Sequence, residues 1–460
     1  MRARERKLRA VIAALLVAAQ GCALAPEPTH DDIAKRTLAN ARIPATWSTA
    51  NVVPGNVESG WLAQLDDPQL QALVEEALEF NSDLMQAAAR VERAASYLKI
   101  AKGELYPAVY GIGRKGDESG SGIDAVMLSA SWELDVWGRV RYGVRGTRDQ
   151  FAAAQAEYAY ARASLAALVA KSWFLAIEAS LQRALVTDMV SSASTLVGLT
   201  EDRVNVGIGS DFDVASARVS LQTYRDSLQQ IELSRQQALR ALELLLGRYP
   251  AAELAPAENF PTLATAVPVG VPSELLERRP DVIAAERRVG AAFNLMQQAR
   301  AARLPSLSLT GSGSDLSSDL FILQKRDEPK WSLGGRIIAP LFTGGSLRAQ
   351  VKVRTAEQQE AMAAYAATVL KAFREVEDAL SSEHTMQARE AILITATAEA
   401  ERAVGFAHKR YTVGSGDLRG VQQQQLEYHT TRMNLLRVQS ERRIQRVNLH
   451  LALGGDFAPG

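Results

Sequence analysis

Two segments of the chain place apolar residues at every second position, which is the periodicity of a β-strand with one apolar face. Between Val126 and Val136 every even-numbered residue is apolar, and the odd-numbered ones, apart from Met127, are polar. A second segment, from 331 to 341, alternates less regularly. A shorter apolar segment introduced by a proline precedes each of them, at 108–113 and 306–313. The pattern predicts two strand hairpins, at about residues 105–138 and 304–343.

The rest of the chain has the 3.6-residue apolar period of α-helices. Residues 147–197 and 346–404 contain neither glycine nor proline. At 1.5 Å per residue these two segments predict helices of roughly 75–90 Å, far longer than an average globular helix. Each is followed by a short segment with two glycines and then by a second helical segment, so the sequence predicts two long helical hairpins. The aspartates after the glycines, Asp211 and Asp417, are expected to cap the second helices.

The pattern occurs twice. An offset of 198 aligns residues 83–113 with 281–311, and an offset of 207 aligns 203–247 with 410–454. Two copies of this length indicate a duplicated module rather than a solenoid. The predicted repeats are residues 61–255, with the first strand hairpin, and 256–460, with the second.

Four strands are too few to close a barrel. On their own they fit equally well a soluble sheet with one buried face. In lipid, however, the two open edges would leave backbone groups without hydrogen bonds, and bacterial barrels have at least eight strands. The expected fold is therefore mainly α with a small transmembrane β part, to which several copies contribute.

The N-terminus has the features of an export signal. Basic residues precede an apolar run at 10–19 that is too short to cross a bilayer. The only cysteine, Cys22, follows at the cleavage position, so residues 1–21 are predicted to be a signal peptide and Cys22 the acylated residue of a lipoprotein. An ordinary cleavage site is the alternative. Residues 22–60 contain several prolines and are expected to form an extended, lipid-anchored segment.

Composition argues against several functions. The net charge is zero, which does not favour a nucleic-acid partner. The five histidines are scattered and have no metal-ligand spacing. We find no catalytic constellation, and neither a metal nor a cofactor is expected. The paired arginines 278–279 and 442–443 are expected on solvated helix faces.

Several stretches together resemble the outer-membrane factors of tripartite efflux systems, within the TolC superfamily and closest to its OprM/NodT lipoprotein branch. The resemblance covers about residues 61–455. The stretches that carry it, besides Cys22 and the duplicated plan, are Glu133–Arg139, Pro340–Gly345, Arg410–Gly414 and Leu451–Gly455.

This resemblance implies a homotrimer in the bacterial outer membrane, with a twelve-stranded β-barrel continued by an α-helical periplasmic tunnel. Such a channel performs no chemistry. It conducts substrates passively and opens by an iris-like movement of its periplasmic helix tips. Its implied partners are a periplasmic adaptor (membrane fusion) protein and an inner-membrane pump of the resistance-nodulation or major-facilitator type.

The resemblance also implies gate positions, counted from the glycine turns. Asp213 and Tyr411 fall where the family places a periplasmic lock, whereas Gly416 stands where an assisting arginine would be. The positions expected to hold an acidic constriction are Gly420 and Gln423, with Arg419 and Leu426 at neighbouring gate positions. If Arg419 faces the axis, the constriction is basic or neutral instead of acidic; the alternative is that Arg419 points sideways into solvent or a neighbouring helix. The helix-turn tips expected to contact the adaptor are Gly207, Gly209, Gly414 and Gly416.

Two other functions fit the sequence. One is the outer-membrane channel of a type I protein-secretion system, although the lipoprotein signal and the OprM-like stretches count against it. The other is a lipid-anchored periplasmic coiled-coil scaffold without a channel.

Overall fold

The computed structural model describes residues 25–49, 53, 55–57, 59–114, 123–263, 267–318 and 330–457. Within these ranges lie nine α-helices, four strands and two short 3-10 helices. The helices are α1 (His30–Thr37), α2 (Pro68–Phe80), α3 (Ser82–Gly103), α4 (Arg139–Asn205), α5 (Asp211–Leu245), α6 (Leu275–Arg278), α7 (Pro280–Ala301), α8 (Ser346–Thr412) and α9 (Leu418–Ala452). The strands are β1 (Ala108–Arg114), β2 (Ile123–Leu134), β3 (Ser306–Ser318) and β4 (Lys330–Ile338), and the 3-10 helices are Ala63–Leu65 and Pro272–Glu274.

The helix lengths confirm the duplicated plan. The long helices α4 and α8 each have 67 residues, and their hairpin partners α5 and α9 each have 35. The helices before the strand hairpins, α3 and α7, each have 22. The first residues of α4 and α8 are 207 positions apart, and those of α3 and α7 are 198 apart, which are the two offsets seen in the sequence.

The chain divides into two compact units, each of which takes segments from both repeats. The first contains the described residues of Met1–Arg42, Ala88–Glu157 and Asp281–Val369. The second contains those of Ile43–Ala87, Tyr158–Pro280 and Leu370–Gly460.

The first unit contains one antiparallel sheet in the order β1-β2-β3-β4. Trp132 of β2 is opposite Leu309 of β3, and Leu309 is opposite Gly335 of β4. Because opposed residues share a face, these registers gather the apolar residues on one side of the sheet. That side is exposed in the protomer: Leu333 is 88% exposed. Other exposed large apolar residues on it are Val109, Val126, Leu128, Trp132, Leu309, Trp331 and Ile337.

The opposite face of the sheet is mainly polar, although Tyr110, Ile112 and Ile338 also lie on it. Ser312 of β3 lies opposite Ser332 of β4, and their hydroxyl oxygens are 2.7 Å apart. The alternation predicted for β2 is confirmed. The second hairpin is shorter than expected, since β4 ends at Ile338 and not at Leu341. Pro340 explains the difference, because it has no N–H for a strand ladder.

The N-terminal segment was expected to be extended, but part of it is helical. Thr29 and Asp32 form a capping box at the start of α1, whose Ile33 is buried. The segment up to Arg42 is part of the first unit and packs against α4, because the Ala25 N–H donates to the Tyr142 hydroxyl at 2.6 Å. The capping residues and the helical spacing of Ile33 were local signals that the proline content obscured. The predicted signal peptide and Cys22 lie outside the described residues.

The core of the second unit forms around the middle of α4. Trp173, Phe174 and Ile177 are fully buried there. The Trp173 indole N–H donates to Asp67 at 2.8 Å, and Asp67 also caps α2 by accepting from the Leu70 N–H. Among the described helices, α4 contains a segment long and apolar enough to cross a membrane. Half of that segment is buried in the protomer, as in a core helix.

The expectation of solvated arginine pairs is wrong for one member of each pair. Arg279 is 1% exposed, and its guanidinium donates to the Glu375 carboxylate at 2.7 Å and to the Ala452 carbonyl at 3.1 Å. Arg443 is also buried and donates twice to the Pro261 carbonyl. These partners offset the cost of removing a charge from water. The hydrogen bonds of each arginine join a loop to a helix.

Candidate functional site: the ends of the helical hairpins

Each long helix ends in a Schellman motif, in which a left-handed glycine stops the helix. At the end of α4, Gly207 has a φ of 80° and the Ile208 N–H donates to the Arg203 carbonyl at 2.9 Å. At the end of α8, Gly414 has a φ of 78° and the Ser415 N–H donates to the Arg410 carbonyl at 2.9 Å. The prediction that these glycines end the helices is confirmed.

The second glycine of each turn packs closely against the end of its long helix. A Cβ on Gly209 would lie 2.6 Å from the Val204 nitrogen, and one on Gly416 would lie 3.1 Å from the Arg410 Cβ. Any side chain at Gly209 would therefore force the turn away from the helix end. Gly416 also lines an open groove of about 490 Å³ between the end of α8 and the start of α9.

The caps of the second helices were predicted correctly in one repeat only. Asp417 caps α9 by accepting from the Gly420 N–H at 2.8 Å. In the first repeat the cap of α5 is Ser210, which accepts from the Phe212 N–H at 3.2 Å, and not Asp211. Ser210 is the equivalent of Asp417 at the offset of 207, so the same structural position has a different capping residue in each repeat.

Tyr411 forms the centre of a small core where the hairpins meet. It is 3% exposed and packs with Leu196 of α4, Ala217 of α5, and Leu418 and Val421 of α9. All four long-hairpin helices therefore contribute to this cluster.

Arg203 joins the end of the first hairpin to this tyrosine. Its guanidinium carbon lies 4.7 Å from the centre of the Tyr411 ring, and its Nη1 donates to the Tyr411 carbonyl at 3.2 Å. Burial raises the pKa of the Tyr411 hydroxyl, the Arg203 charge lowers it, and the Asp213 charge raises it. Arg203 is thus both a cation over an aromatic face and a hydrogen-bond donor.

Asp213 lies in the first turn of α5 and is partly buried. Its charge is close enough to act on Tyr411, but no hydrogen bond joins the two side chains within the described protomer. The lock predicted between them stays a prediction. Position 416, where the resemblance placed an assisting arginine, is a glycine, and the arginine that contacts Tyr411 is Arg203 of the other hairpin. The sequence shows Arg203 only as the repeat equivalent of Arg410, with no signal that its side chain crosses between hairpins.

A second tie between the hairpins lies further along α5 and α9. The Gln422 amide accepts from the Ser216 hydroxyl and donates to the Ser220 hydroxyl, both at 3.1 Å. Sequence reasoning missed these three residues, which have no distinctive pattern.

The two predicted aperture residues share one face of α9. Arg419 and Gln423 are four residues apart, and both are exposed. Leu418, Val421 and Gln425 occupy the buried side of the same helix. Arg419 has no ion pair or hydrogen bond with the described part of its own protomer, so its guanidinium is exposed at the protomer surface without a neutralising partner there.

A family model described as "Outer membrane efflux protein" matches residues 73–248 and 271–455. The chain belongs to this family. Its members are outer-membrane efflux channels and not enzymes, which confirms the expected class.

Two relatives illustrate the match. The cation efflux system protein CusC of Escherichia coli O6:H1 is 27% identical over 457 residues, which cover 96% of this chain and 97% of CusC. The outer membrane protein OprJ of Pseudomonas aeruginosa is 30% identical over 418 residues, which cover 87% of each chain.

Solved structures have the same fold. The outer-membrane channel OprN superimposes with a TM-score of 0.83 at 28% identity, covering 90% of this chain and 98% of OprN. The open state of the Neisseria gonorrhoeae channel MtrE gives a TM-score of 0.81 at 27% identity, covering 95% of this chain and 98% of MtrE. The fold class expected from the sequence, a mainly α chain with a β part of the barrel type, is confirmed.

Proposed function

We propose that this protein is the outer-membrane exit channel of a tripartite efflux pump, conducting passively what an inner-membrane transporter and a periplasmic adaptor deliver. The observation that carries the proposal is the sheet of the first unit. It exposes an apolar face, and among the described residues the outer edges of β1 and β4 pair with no further strand. In a bilayer the apolar face is favourable, but unpaired edges are not.

A homotrimer resolves this conflict. Joining β4 of one copy to β1 of the next satisfies both edges, and three four-stranded sheets make twelve strands, an even number within the range of bacterial barrels. The polar face, with the hydroxyls of Ser308, Thr310 and Ser312, then lines the lumen. The long helices continue the barrel into the periplasm as a tunnel.

A lipid anchor would attach the protein to the membrane in addition to the barrel. Acylation of Cys22 would anchor the N-terminus, since each buried CH₂ contributes about 0.8 kcal/mol. The docked N-terminal segment would hold that anchor at the first unit, beside Tyr142. The protein then resides in the outer membrane with its helical part in the periplasm.

The hairpin ends suit a periplasmic adaptor. Around the turns of Gly207, Gly209, Gly414 and Gly416, large apolar side chains are exposed: Val206 is 69% exposed, Ile208 66% and Val413 77%. Exposed apolar residues on a rigid turn are typical of contact surfaces. The pump behind the adaptor is of the resistance-nodulation or major-facilitator type.

The same region would contain the gate. Asp213, Tyr411 and the Arg203 contact would hold the hairpins together in the closed state, and an iris-like separation would break these contacts. Arg419 and Gln423 would face the pore, where three copies of Arg419 form a basic ring.

Efflux is favoured over protein secretion. The names of the relatives CusC and OpmQ refer to cation efflux and pyoverdine export, and those of TtgC and ArpC to toluene and antibiotic efflux. None of these cargoes is an unfolded polypeptide. Membership of a channel family also argues against a scaffold without a pore.

Reconstitution tests the proposal. The detergent-extracted protein should have the mass of three copies, migrate differently on gels before and after heating, and give single-channel currents in planar bilayers. A monomer that conducts no current would overturn the proposal.

A further inference from the structure

We propose that four basic side chains next to the sheet, Lys99 and Lys102 of α3 and Arg348 and Lys352 of α8, bind the anionic headgroups of membrane phospholipids. The inference rests on the proposed outer-membrane channel, and it names a lipid partner for the helix surface adjoining the barrel.

Two tryptophans mark the end of the sheet at which this surface begins. The Trp132 indole N–H donates to the Leu105 carbonyl at 3.0 Å, and the Trp137 indole N–H donates to the Pro305 carbonyl at 2.7 Å. Both side chains are exposed, and exposed indoles favour the boundary between hydrocarbon and headgroups. The four basic residues lie within about two helical turns of the sheet-side ends of α3 and α8, so their long side chains can reach the headgroups.

The four basic side chains have no counter-charge of their own. All are exposed, and none has an ion pair or hydrogen bond within the described part of the protomer. On α3, the Glu104 charge acts on Arg139, and Glu92 is two turns from Lys99 on the side away from the sheet. The first acid of α8, five residues beyond Lys352, pairs with another arginine at 2.7 Å. The four charges are therefore available to an external anion.

The repeats show a basic residue that is kept without its acidic partner. In the first repeat the Arg141 guanidinium donates to the Asp135 carboxylate at 3.1 Å. The equivalents at the offset of 207 are Arg348 and Phe342, so an apolar residue, 91% exposed, replaces the aspartate. An unpaired arginine six residues after an exposed phenylalanine suits a surface that meets both headgroups and hydrocarbon.

The N-terminal segment identifies the outer face of the helices, because a lipid-anchored segment runs outside the barrel. It makes hydrogen bonds to Tyr142 of α4 and to Glu286 of α7. The repeat equivalents of these two residues are Ala349 of α8 and Ala88 of α3, and both alanines are exposed. Alanine cannot reproduce either hydrogen bond, so this way of covering the outer face is confined to α4 and α7.

Helical spacing places the basic residues on the corresponding face of α3 and α8. Lys352 is three residues after Ala349. Lys99 is three residues after Ser96, the equivalent of Asn294, which donates to the N-terminal segment at 3.0 Å. Residues three or four apart share a helix face, and the other two basic residues extend the same two stripes.

The proposed trimer brings the two stripes together. Helix α3 leads into β1, and β4 leads into α8, so joining β4 of one copy to β1 of the next places the two pairs of basic residues on neighbouring helices. Like charges so placed repel one another unless anions lie between them. The whole chain has no net charge, so this is a local excess, and phospholipid phosphates are the anions found at this level of a membrane protein.

Quenching of tryptophan fluorescence by brominated lipids tests the proposal. In a Trp331→Phe background the exposed tryptophans are Trp132 and Trp137, because Trp47, Trp61 and Trp173 are buried. Trimers in vesicles of phosphatidylcholine and phosphatidylglycerol, with bromine on one lipid at a time, give the relative affinity of these two sites for each lipid. The wild-type surface should prefer phosphatidylglycerol by roughly threefold or more, and high salt should reduce the preference.

The Lys99→Gln/Lys352→Gln variant should bind both lipids equally. The Lys102→Gln/Arg348→Gln variant provides a second pair if the first does not fold. Arg225→Gln/Lys409→Gln is the matched control: it also removes two exposed charges that have no partner in the described protomer, and it should keep the wild-type preference.

Equal affinity of the wild-type surface for the two lipids, or a full preference in both variant pairs, would overturn the lipid site. Mass and conductance of the same samples test the channel separately. Conducting trimers without a lipid preference refute the lipid site alone, whereas a monomer that conducts no current refutes both.

Discussion

Arg203, near the end of α4, lies over the ring of Tyr411, near the end of α8, with its guanidinium carbon 4.7 Å from the ring centre. The same side chain donates to the Tyr411 carbonyl, which also accepts the Gly414 N–H of the Schellman turn. One residue of the first hairpin thus contacts the side chain and the helix-ending backbone of the second. A separation of the hairpins would have to break this contact, as well as the hydrogen bonds of Gln422 to Ser216 and Ser220.

Loss of Arg203 should favour the open channel. Arg203→Ala removes a cation–π contact worth about 0.5–2 kcal/mol, together with a hydrogen bond, so the open population should rise by roughly threefold or more. Single-channel recordings in planar bilayers measure the open probability. Arg410→Ala is the matched control, because Arg410 is the repeat equivalent and its guanidinium donates, among the described residues, only to the Ser415 carbonyl of its own turn. Identical recordings from both variants would remove Arg203 from the gate.

Two substitutions of Tyr411 distinguish a packing role of its ring from a lock formed by its hydroxyl. Tyr411→Ala should destabilise the hairpin cluster by about 3–5 kcal/mol, because it leaves a cavity in a buried aromatic site. Tyr411→Phe keeps the ring and removes the hydroxyl, which has no hydrogen bond to Asp213 in the described protomer. We therefore expect Tyr411→Phe to gate like the wild type. If it opens as readily as Asp213→Asn, the two side chains form a lock in the assembled channel.

The local sequence pattern predicted most of the fold. The alternation of apolar and polar residues predicted β2, and the absence of glycine and proline predicted the long helices. Helix α4, however, already begins at Arg139 and includes Gly143 and Gly146, which precede the predicted segment. There the glycines allow α7 to approach closely, as the position of Leu295 shows. Tertiary packing therefore overrides the low helix propensity of glycine, which no local pattern reveals.

The site was less predictable because its contacts join residues distant in sequence. The glycine turns follow from local geometry, and both were located correctly. Arg203 and Tyr411 are 208 residues apart. Their contact depends on the direction in which a long, flexible side chain points. The burial of Arg279 and of Arg443 depends on the same kind of choice.

Arg419 should set the charge preference of the pore. It is exposed on α9 and unpaired within the described protomer, so Arg419→Asp replaces three positive charges in a trimer with three negative ones. In a salt gradient across a planar bilayer, the reversal potential should shift toward cation preference. Gln423→Asp, one turn further along the same face, should shift it in the same direction. Arg389→Asp, an exposed substitution on α8, serves as the control. An unchanged potential in both aperture variants would place Arg419 outside the constriction.

Asp149 should make the stability of the first unit depend on pH. Burial, followed by the charge of Glu27, raises its pKa from the ordinary 3.8 to about 6, although the Asn294 hydrogen bond and the Arg287 and Arg148 charges oppose this. The folded protein therefore binds an extra proton between about pH 4 and about pH 6. Stability linked to this group is fully present below that range and is lost as the pH rises through it.

The Asp149→Asn variant tests this linkage. Asparagine has nearly the shape of the protonated acid and does not titrate, so the variant should lose much of the difference in thermal midpoint between about pH 4.5 and about pH 7. At the higher pH it should be more stable than the wild type, because the repulsion between Asp149 and Glu27 is gone.

Glu27 is part of the docked N-terminal segment, and Asn294 donates to it at 3.0 Å. Protonation of Asp149 should therefore also tighten the docking of this segment, measured as slower hydrogen exchange in residues 25–37. Asp226→Asn, an exposed change on α5, should keep the wild-type pH dependence. An Asp149→Asn variant whose thermal midpoint varies with pH as in the wild type would show that another group is responsible.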